Sequence, residues 1–290
     1  MRNLHKEITD RILAQLAQGV APWRKPWSGQ ATGSAMPRNA VTGRAYSGVN
    51  VILLWSEAQA KAYADPRWLT FKQAKEAGGS VRKGEHGQSV IYVNAVEREK
   101  DGETVRIPFL KAYTVFNVAQ CDGLSEKLTG ALAPKFRNLD ERDAFIDEFV
   151  ASTKAQISHG QARAYFHPVL DLINMPAFAT FVSADAYYST LFHEIGHWTG
   201  AKSRLNRDLK GRFGDRAYAA EELIAELTAA FVCAEFGIDM GEAPAAYIAT
   251  WISLMGEQEK ALISAAAAAS KAVAYLAGLA LEDDALADAA

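Results

Sequence analysis

Apolar residues recur at four-residue steps from the start of the chain. Leu4, Ile8, Ile12 and Leu16 predict an amphipathic helix over residues 4–18, ended by Gly19. Val49 to Ala62 reads as a buried helix after the turn signal Thr42-Gly43-Arg44. Two strand-like runs follow, Ser89–Glu97 and Val105–Val115, joined by a hairpin at Lys100-Asp101-Gly102-Glu103. Residues 117–138 have linker composition, with Gly123, Gly130 and Pro134. A helix with the acidic opening Asp140-Glu141-Arg142-Asp143 is expected over residues 139–153, then short strands at 161–166 and 171–175. Tyr187, Leu191, Phe192 and Ile195 are spaced as in a helix that Ser183 caps and Gly200 stops. Residues 219–231 contain no Gly or Pro and predict another helix, and Ala243 to Leu281 one alanine-rich helical tail. The fold class is therefore α+β. A small α+β domain over residues 1–130 precedes a mostly helical domain over residues 131–290.

Composition narrows the setting. The 290 residues are 49% apolar and 22% charged, as in ordinary globular proteins. No membrane-length apolar run is read, the first residues lack a signal-peptide core, and Cys121 and Cys233 form no CxxC pair. A cytoplasmic protein without disulfides or a membrane partner is expected. Charge is uneven: residues 1–130 carry 18 Lys+Arg against 12 Asp+Glu, whereas residues 131–290 carry 13 against 22. Four of the six tryptophans lie in the basic part. Single-stranded DNA is held by positive charge plus aromatic faces on which bases stack. Trp23, Arg24, Lys25, Trp27, Arg38, Arg44, Tyr46, Arg82 and Lys83 supply both on predicted loops. The basic run Lys202 to Arg212 is either a solvated loop or a positive lip that extends this track. His159, His167 and Asp171 read as structural, and His86 as structural or a phosphate contact.

The sharpest chemical signal is His193-Glu194-Ile195-Gly196-His197. Residues four apart on a helix differ by about 40° around its axis, so both imidazoles can grip one metal ion. Glu194 stands beside them as a general base. A third ligand is needed, and Glu222 and Glu226 share one face of the next predicted helix. Glu226 is the favoured ligand, because Leu223, Leu227, Ala230 and Phe231 anchor its turn; Glu222 is the alternative ligand or an orienting partner. Glu221 reads as solvated. One divalent metal, zinc or alternatively manganese, is the implied cofactor.

Taken together, the chain resembles the ArdC-type antirestriction proteins of conjugative plasmids, whose N-terminal region is shared with TraC-type primases. The N-terminal resemblance rests on Pro22-Trp23-Arg24-Lys25-Pro26-Trp27, Thr42-Gly43-Arg44-Ala45-Tyr46-Ser47-Gly48-Val49-Asn50, Thr70-Phe71-Lys72-Gln73-Ala74 and Val81-Arg82-Lys83-Gly84-Glu85. The C-terminal resemblance rests on His193-Glu194-Ile195-Gly196-His197-Trp198-Thr199-Gly200, Ser203-Arg204-Leu205-Asn206-Arg207 and Glu221-Glu222-Leu223-Ile224-Ala225-Glu226-Leu227. It implies a single-stranded-DNA-binding domain, a zincin-like metallopeptidase domain and protection of incoming plasmid DNA from host restriction endonucleases. A peptidase recruited through DNA to a host protein is the alternative expectation.

Overall fold

The structure is a computed structural model that describes residues 4–24, 36–100, 103–130, 142–209 and 215–288. The first half contains α1 (Leu4–Leu16), β1 (Arg38–Asn39), α2 (Val49–Lys61), β2 (Arg67–Thr70), α3 (Phe71–Glu76) and β3 (Ser80–Val81). It continues through β4 (Gln88–Lys100), β5 (Glu103–Asn117), β6 (Cys121–Asp122) and the single turn α4 (Glu126–Thr129). The second half runs α5 (Ala144–Ser152), β7 (Gln156–His159), β8 (Tyr165–His167), β9 (Leu172–Met175), α6 (Ala184–Thr199), α7 (Arg216–Phe236), α8 (Ala245–Glu257) and α9 (Ala261–Asp288).

These elements form two compact units whose boundaries differ from a simple cut at residue 130. One unit joins Met1–Met36 and Ser47–Val49 to Ala133–Ala290; the other comprises Pro37–Tyr46 and Asn50–Leu132. Long-range contacts that the local pattern cannot display produce the difference. In the first unit the Thr9 hydroxyl donates to the Glu259 carbonyl at 2.8 Å. Trp23 packs edge-on to Trp251 with ring centroids 5.3 Å apart.

The second unit is a four-stranded sheet in the order β1-β2-β5-β4 with α2 packed on it. Leu54, Trp68, Val90 and Val115 form its buried cluster. β4 is one of the two edge strands. The Asn50 side chain caps it by donating to the Ile91 carbonyl and accepting from the Ile91 N–H, at 2.7 and 2.8 Å, as a neighbouring strand would. The β4–β5 hairpin matches the expected one, extended at both ends. The expected linker instead carries β6, which pairs with β3, and α4; residues 131–141 lie outside the described residues.

In the other unit, β7 was not expected and pairs parallel to β9 in a sheet ordered β7-β9-β8. The predicted helical tail is two helices, α8 and α9, separated at residues 258–260. Within α9, Ala261–Leu281 is long and apolar enough to cross a membrane, with mean hydropathy 1.5, contrary to the expectation that no such run exists. Alanine supplies that apolarity, and the stripe Leu262, Ala265, Ala269, Ala272 and Leu276 is buried at helical spacing.

Asp185 lies in the first turn of α6, where the helix dipole favours an acid, yet it is partly buried and one of its oxygens finds no hydrogen-bond partner. Burial, with the Asp239 charge adding to it, pushes its carboxyl up to about 6. A carboxyl raised in the folded state stabilises the fold while protonated, and this contribution is lost as pH rises from about 4 through 6. Asp185→Asn is therefore expected to raise Tm at pH 7.5 by about 1–3 °C and to give no gain at pH 4, read by thermal unfolding at both values.

Candidate metal centre

The site is built where α6 crosses α7. The α6 N-terminus is set by Ser183, whose hydroxyl accepts from the Ala186 N–H at 3.0 Å, and that of α7 by Asp215, which accepts from Tyr218 at 2.8 Å. Gly196, inside the HExxH run, allows the two backbones to meet. A Cβ there would stand 3.0 Å from the Ala225 Cα and 3.1 Å from its carbonyl oxygen. Gly200 serves a similar purpose rather than a left-handed cap. Its φ is −78°, and a Cβ would press on the Arg207 guanidinium at 2.8 Å.

At this crossing the imidazole Nε2 atoms of His193 and His197 lie 3.2 Å apart. Glu222 faces both, with oxygens 3.5 Å from the His193 Nε2 and 3.4 Å from the His197 Nε2. Among the described residues, the ligand atoms that lie within 4.8 Å of one another are those of His193, His197 and Glu222. Glu226 does not join them, which corrects the favoured expectation. Four residues along α7 move its carboxylate about 6 Å down the axis. There Arg24 grips it, Nη2 reaching Oε2 at 2.7 Å and Nε reaching Oε1, while the Trp23 indole donates to Oε1 at 3.2 Å.

Glu221 corrects the expectation of a solvated residue: it is 7% exposed. Its Oε1 lies 3.3 Å from the His197 Nδ1, and Arg207 donates to both its oxygens at 2.7 and 2.9 Å. Arg207 also donates to the Gly196 carbonyl at 2.7 Å and to Thr199 at 2.9 Å, tying the loop to the metal-motif helix. A signal was present in the sequence. Apart from its three glutamates and Thr228, residues 219–234 of α7 are apolar and surround the helix, so no broad polar face exists on which Glu221 could sit.

Electrostatics test whether a cation belongs here. Glu194, Glu221, Glu222 and Glu226 are 8, 7, 6 and 1% exposed. Arg24 and Arg207 offset two of these four negative charges. The remaining two match one divalent ion on two imidazoles and a carboxylate, a donor set with room for a further position. Burial alone pulls the His197 imidazole down, but hydrogen bonds to Glu221 and Glu222 outweigh it and push the group up to about 10. Burial would raise Glu222 as well; its contacts with both histidines instead hold it far below the usual carboxylate range. The donor set fits a divalent metal.

A cavity of about 320 Å³ opens over the cluster, lined by His193, Glu194, His197, Glu222, Tyr218, Tyr247 and the β8 residues Tyr165 and Phe166. Burial, followed by the Glu222 charge and a hydrogen bond to it, drives the Tyr218 phenol well above its ordinary range. The supposedly structural groups are engaged as such. His159 Nε2 lies 3.0 Å from the Tyr187 hydroxyl, His167 Nδ1 accepts from the Leu170 N–H, and Asp171 pairs with Arg204.

The sequence-selected DNA residues disperse. Trp23 is 1% exposed and Arg24 is ion-paired, both inside the metal unit, so neither offers a face to a base. Tyr46 packs half-buried on the Leu54–Trp68 cluster, and Arg38 is half-buried in β1. Arg82 pairs with Glu85 at 2.8 Å and Asp122 at 3.4 Å. Arg44 and Lys83 are exposed, whereas Lys25 and Trp27 lie outside the described residues. Of the basic run after α6, Arg204 and Arg207 turn inward rather than forming a lip.

If Glu222 is a ligand and Glu221 orients one, the two substitutions separate by size. Glu222→Gln is expected to weaken Zn²⁺ or Mn²⁺ binding on the order of a hundredfold or more, and Glu221→Gln by about 10–100-fold. Titration against a chromophoric chelator measures both; equal affinity in Glu222→Gln and wild type rules the ligand assignment out.

Residues 144–268 match a family described as zincin-like metallopeptidase, and residues 2–116 match the N-terminal domain of anti-restriction factor ArdC. The chain is 37% identical over 280 residues to the protein y4eC of Sinorhizobium fredii, covering 93% of this chain and 90% of that one. It is 38% identical to the DNA primase TraC of Escherichia coli over 92% of its own length but only 26% of the primase. Among solved structures it resembles the antirestriction protein ArdC from plasmid R388 at 42% identity. The metal-free form gives a TM-score of 0.83 with 97% of this chain and 99% of that one covered; the Mn(II)-bound form gives 0.80 with 96% and 98%. With both domain families matched in order and a solved relative covered from end to end, the chain belongs to the ArdC family of antirestriction proteins.

Proposed function

We propose that this protein binds single-stranded DNA in the cytoplasm and protects incoming plasmid DNA from host restriction endonucleases during conjugation. The end-to-end likeness to ArdC of plasmid R388 carries this reading. The unit built on the β4–β5 hairpin offers a surface that suits it. Tyr92 and Tyr113 are 54% and 44% exposed, with ring centroids 6.5 Å apart. Lys111 Nζ lies 5.8 Å from the Tyr113 ring centroid. Tyr92 is registered opposite Lys111 and Tyr113 opposite Val90, so the three side chains share one face of the sheet. Aromatic faces beside positive charge take unpaired bases, and a duplex keeps its bases stacked on one another. Arg44 and Lys83 add charge on the same unit.

A second reading, a DNA-recruited metallopeptidase acting on a host protein, is favoured by one observation. β8 pairs only with β9 among the described strands, leaving an edge whose residues Tyr165 and Phe166 line the metal cavity. An extended peptide adds to such an edge through main-chain hydrogen bonds. His193, His197 and Glu222 would hold zinc or manganese, which supplies Lewis acidity. Glu194, buried beside them, is placed to accept a proton from water and pass it to a leaving amine.

Two experiments test these readings. In a fluorescence-anisotropy titration of the full chain, Tyr92→Ala with Tyr113→Ala is expected to weaken single-strand binding by about 10–1,000-fold, since each stacked base contributes roughly 1–3 kcal/mol. Tight binding by wild type and double variant alike would clear these tyrosines of any role. Glu194→Gln should retain metal and single-strand affinity and still protect a plasmid entering a restriction-proficient recipient. Loss of protection in that variant transfers the function to peptide cleavage.

A further inference from the structure

Each imidazole of the metal centre has a carboxylate behind its Nδ1, at hydrogen-bond distance for His197 and at ion-pair distance for His193, and the two carboxylates are held by arginines from distant parts of the chain. His197 has Glu221 at its Nδ1, and Glu221 is held by Arg207, eight residues after Thr199 at the end of α6. His193 has Glu226 at its Nδ1, 3.8 Å away, and Glu226 is held by Arg24, 202 residues earlier in sequence. The third guanidinium nitrogen of Arg24, Nη1, donates to the Met240 carbonyl at 3.0 Å, so all three nitrogens are engaged inside the unit. Trp23, beside it, donates to the same carboxylate. No requirement of the fold alone demands this pairing, because a buried ion pair gains little over apolar packing of the same volume.

We propose that Arg24 is a positioning residue of the metal centre. By fixing both oxygens of Glu226 it holds a negative charge behind the His193 Nδ1, which favours the tautomer that leaves Nε2 free for the ion, and it keeps Glu226 out of the ligand set so that Glu222 alone among the α7 carboxylates faces the ion. The N-terminal segment thereby completes the site. This rests on the metal-centre reading above. Arg24→Lys isolates the geometry, because it keeps the positive charge and removes the bidentate fork.

The test measures Zn²⁺ affinity by competition with a chromophoric chelator and the visible absorption of the Co²⁺-loaded full chain. Arg24→Lys and Glu226→Gln are each expected to weaken Zn²⁺ about 10–100-fold and to shift the Co²⁺ bands. The pair together should be no weaker than Glu226→Gln alone. Arg24→Met with Glu226→Met removes both buried charges and serves where a single variant folds poorly; it is expected to show the same loss. A lowered Tm with wild-type Zn²⁺ affinity and unchanged Co²⁺ bands in the folded variants overturns the role of Arg24 while leaving the metal centre intact. Wild-type protein that binds neither ion overturns the metal centre itself, and that outcome is visible before any variant is made.

Discussion

Four carboxylates buried at one helix crossing set the terms for the rest of the metal unit. Glu194 lies on α6, and Glu221, Glu222 and Glu226 lie on α7; none is more than 8% exposed. Charges taken out of water at such density must be paired or neutralised, since the desolvation of each costs several kcal/mol. Arg207 turns inward on the loop after α6, Arg24 arrives from the N-terminal segment, and two imidazoles stand between the acids. The close approach of Gly196 and Ala225 is what brings these groups within reach of one another. Metal affinity, loop conformation and the path of the first 24 residues are thus one electrostatic problem solved once.

Legibility in the sequence followed the range of the interaction concerned. His193, Glu194 and His197 are a local pattern whose geometry the helix alone dictates. The β4–β5 hairpin was similarly plain, because its strands adjoin in sequence and the sequence Asp101-Gly102 between them is a strong turn signal. The choice between Glu222 and Glu226 was not local: the two differ by about 40° around the axis, and only the register of α7 against α6 separates them. Trp23 and Arg24 were misplaced for a related reason. A Trp-Arg-Lys run between prolines has the same composition whether it faces a base or a carboxylate, and its partner here is 202 residues away. Glu221 was misread because a helix buried on all sides was taken for an amphipathic one.

Aromatic exposure also redistributes the candidate stacking surfaces. Tryptophan is the strongest stacking residue by area, yet Trp23 and Trp68 are each 1% exposed and serve as core. Tyrosines on the hairpin, unremarkable in composition, are among the aromatic side chains that solvent reaches, as is Phe71 in the same unit. Size and hydrophobicity draw tryptophan inward, whereas a phenol tolerates a wet surface.

The discontinuous metal unit has a consequence for how the protein is made. Trp23 and Arg24 leave the ribosome more than 200 residues ahead of Trp251 and Glu226, which receive them. At about 5–20 residues per second, the N-terminal segment waits on the order of 10–40 seconds for its partners. The sheet unit is nearly continuous in sequence and can close during that interval. The intervening sheet can thus form before the unit that holds Trp23 and Arg24, whose partners on α7 and α8 emerge later.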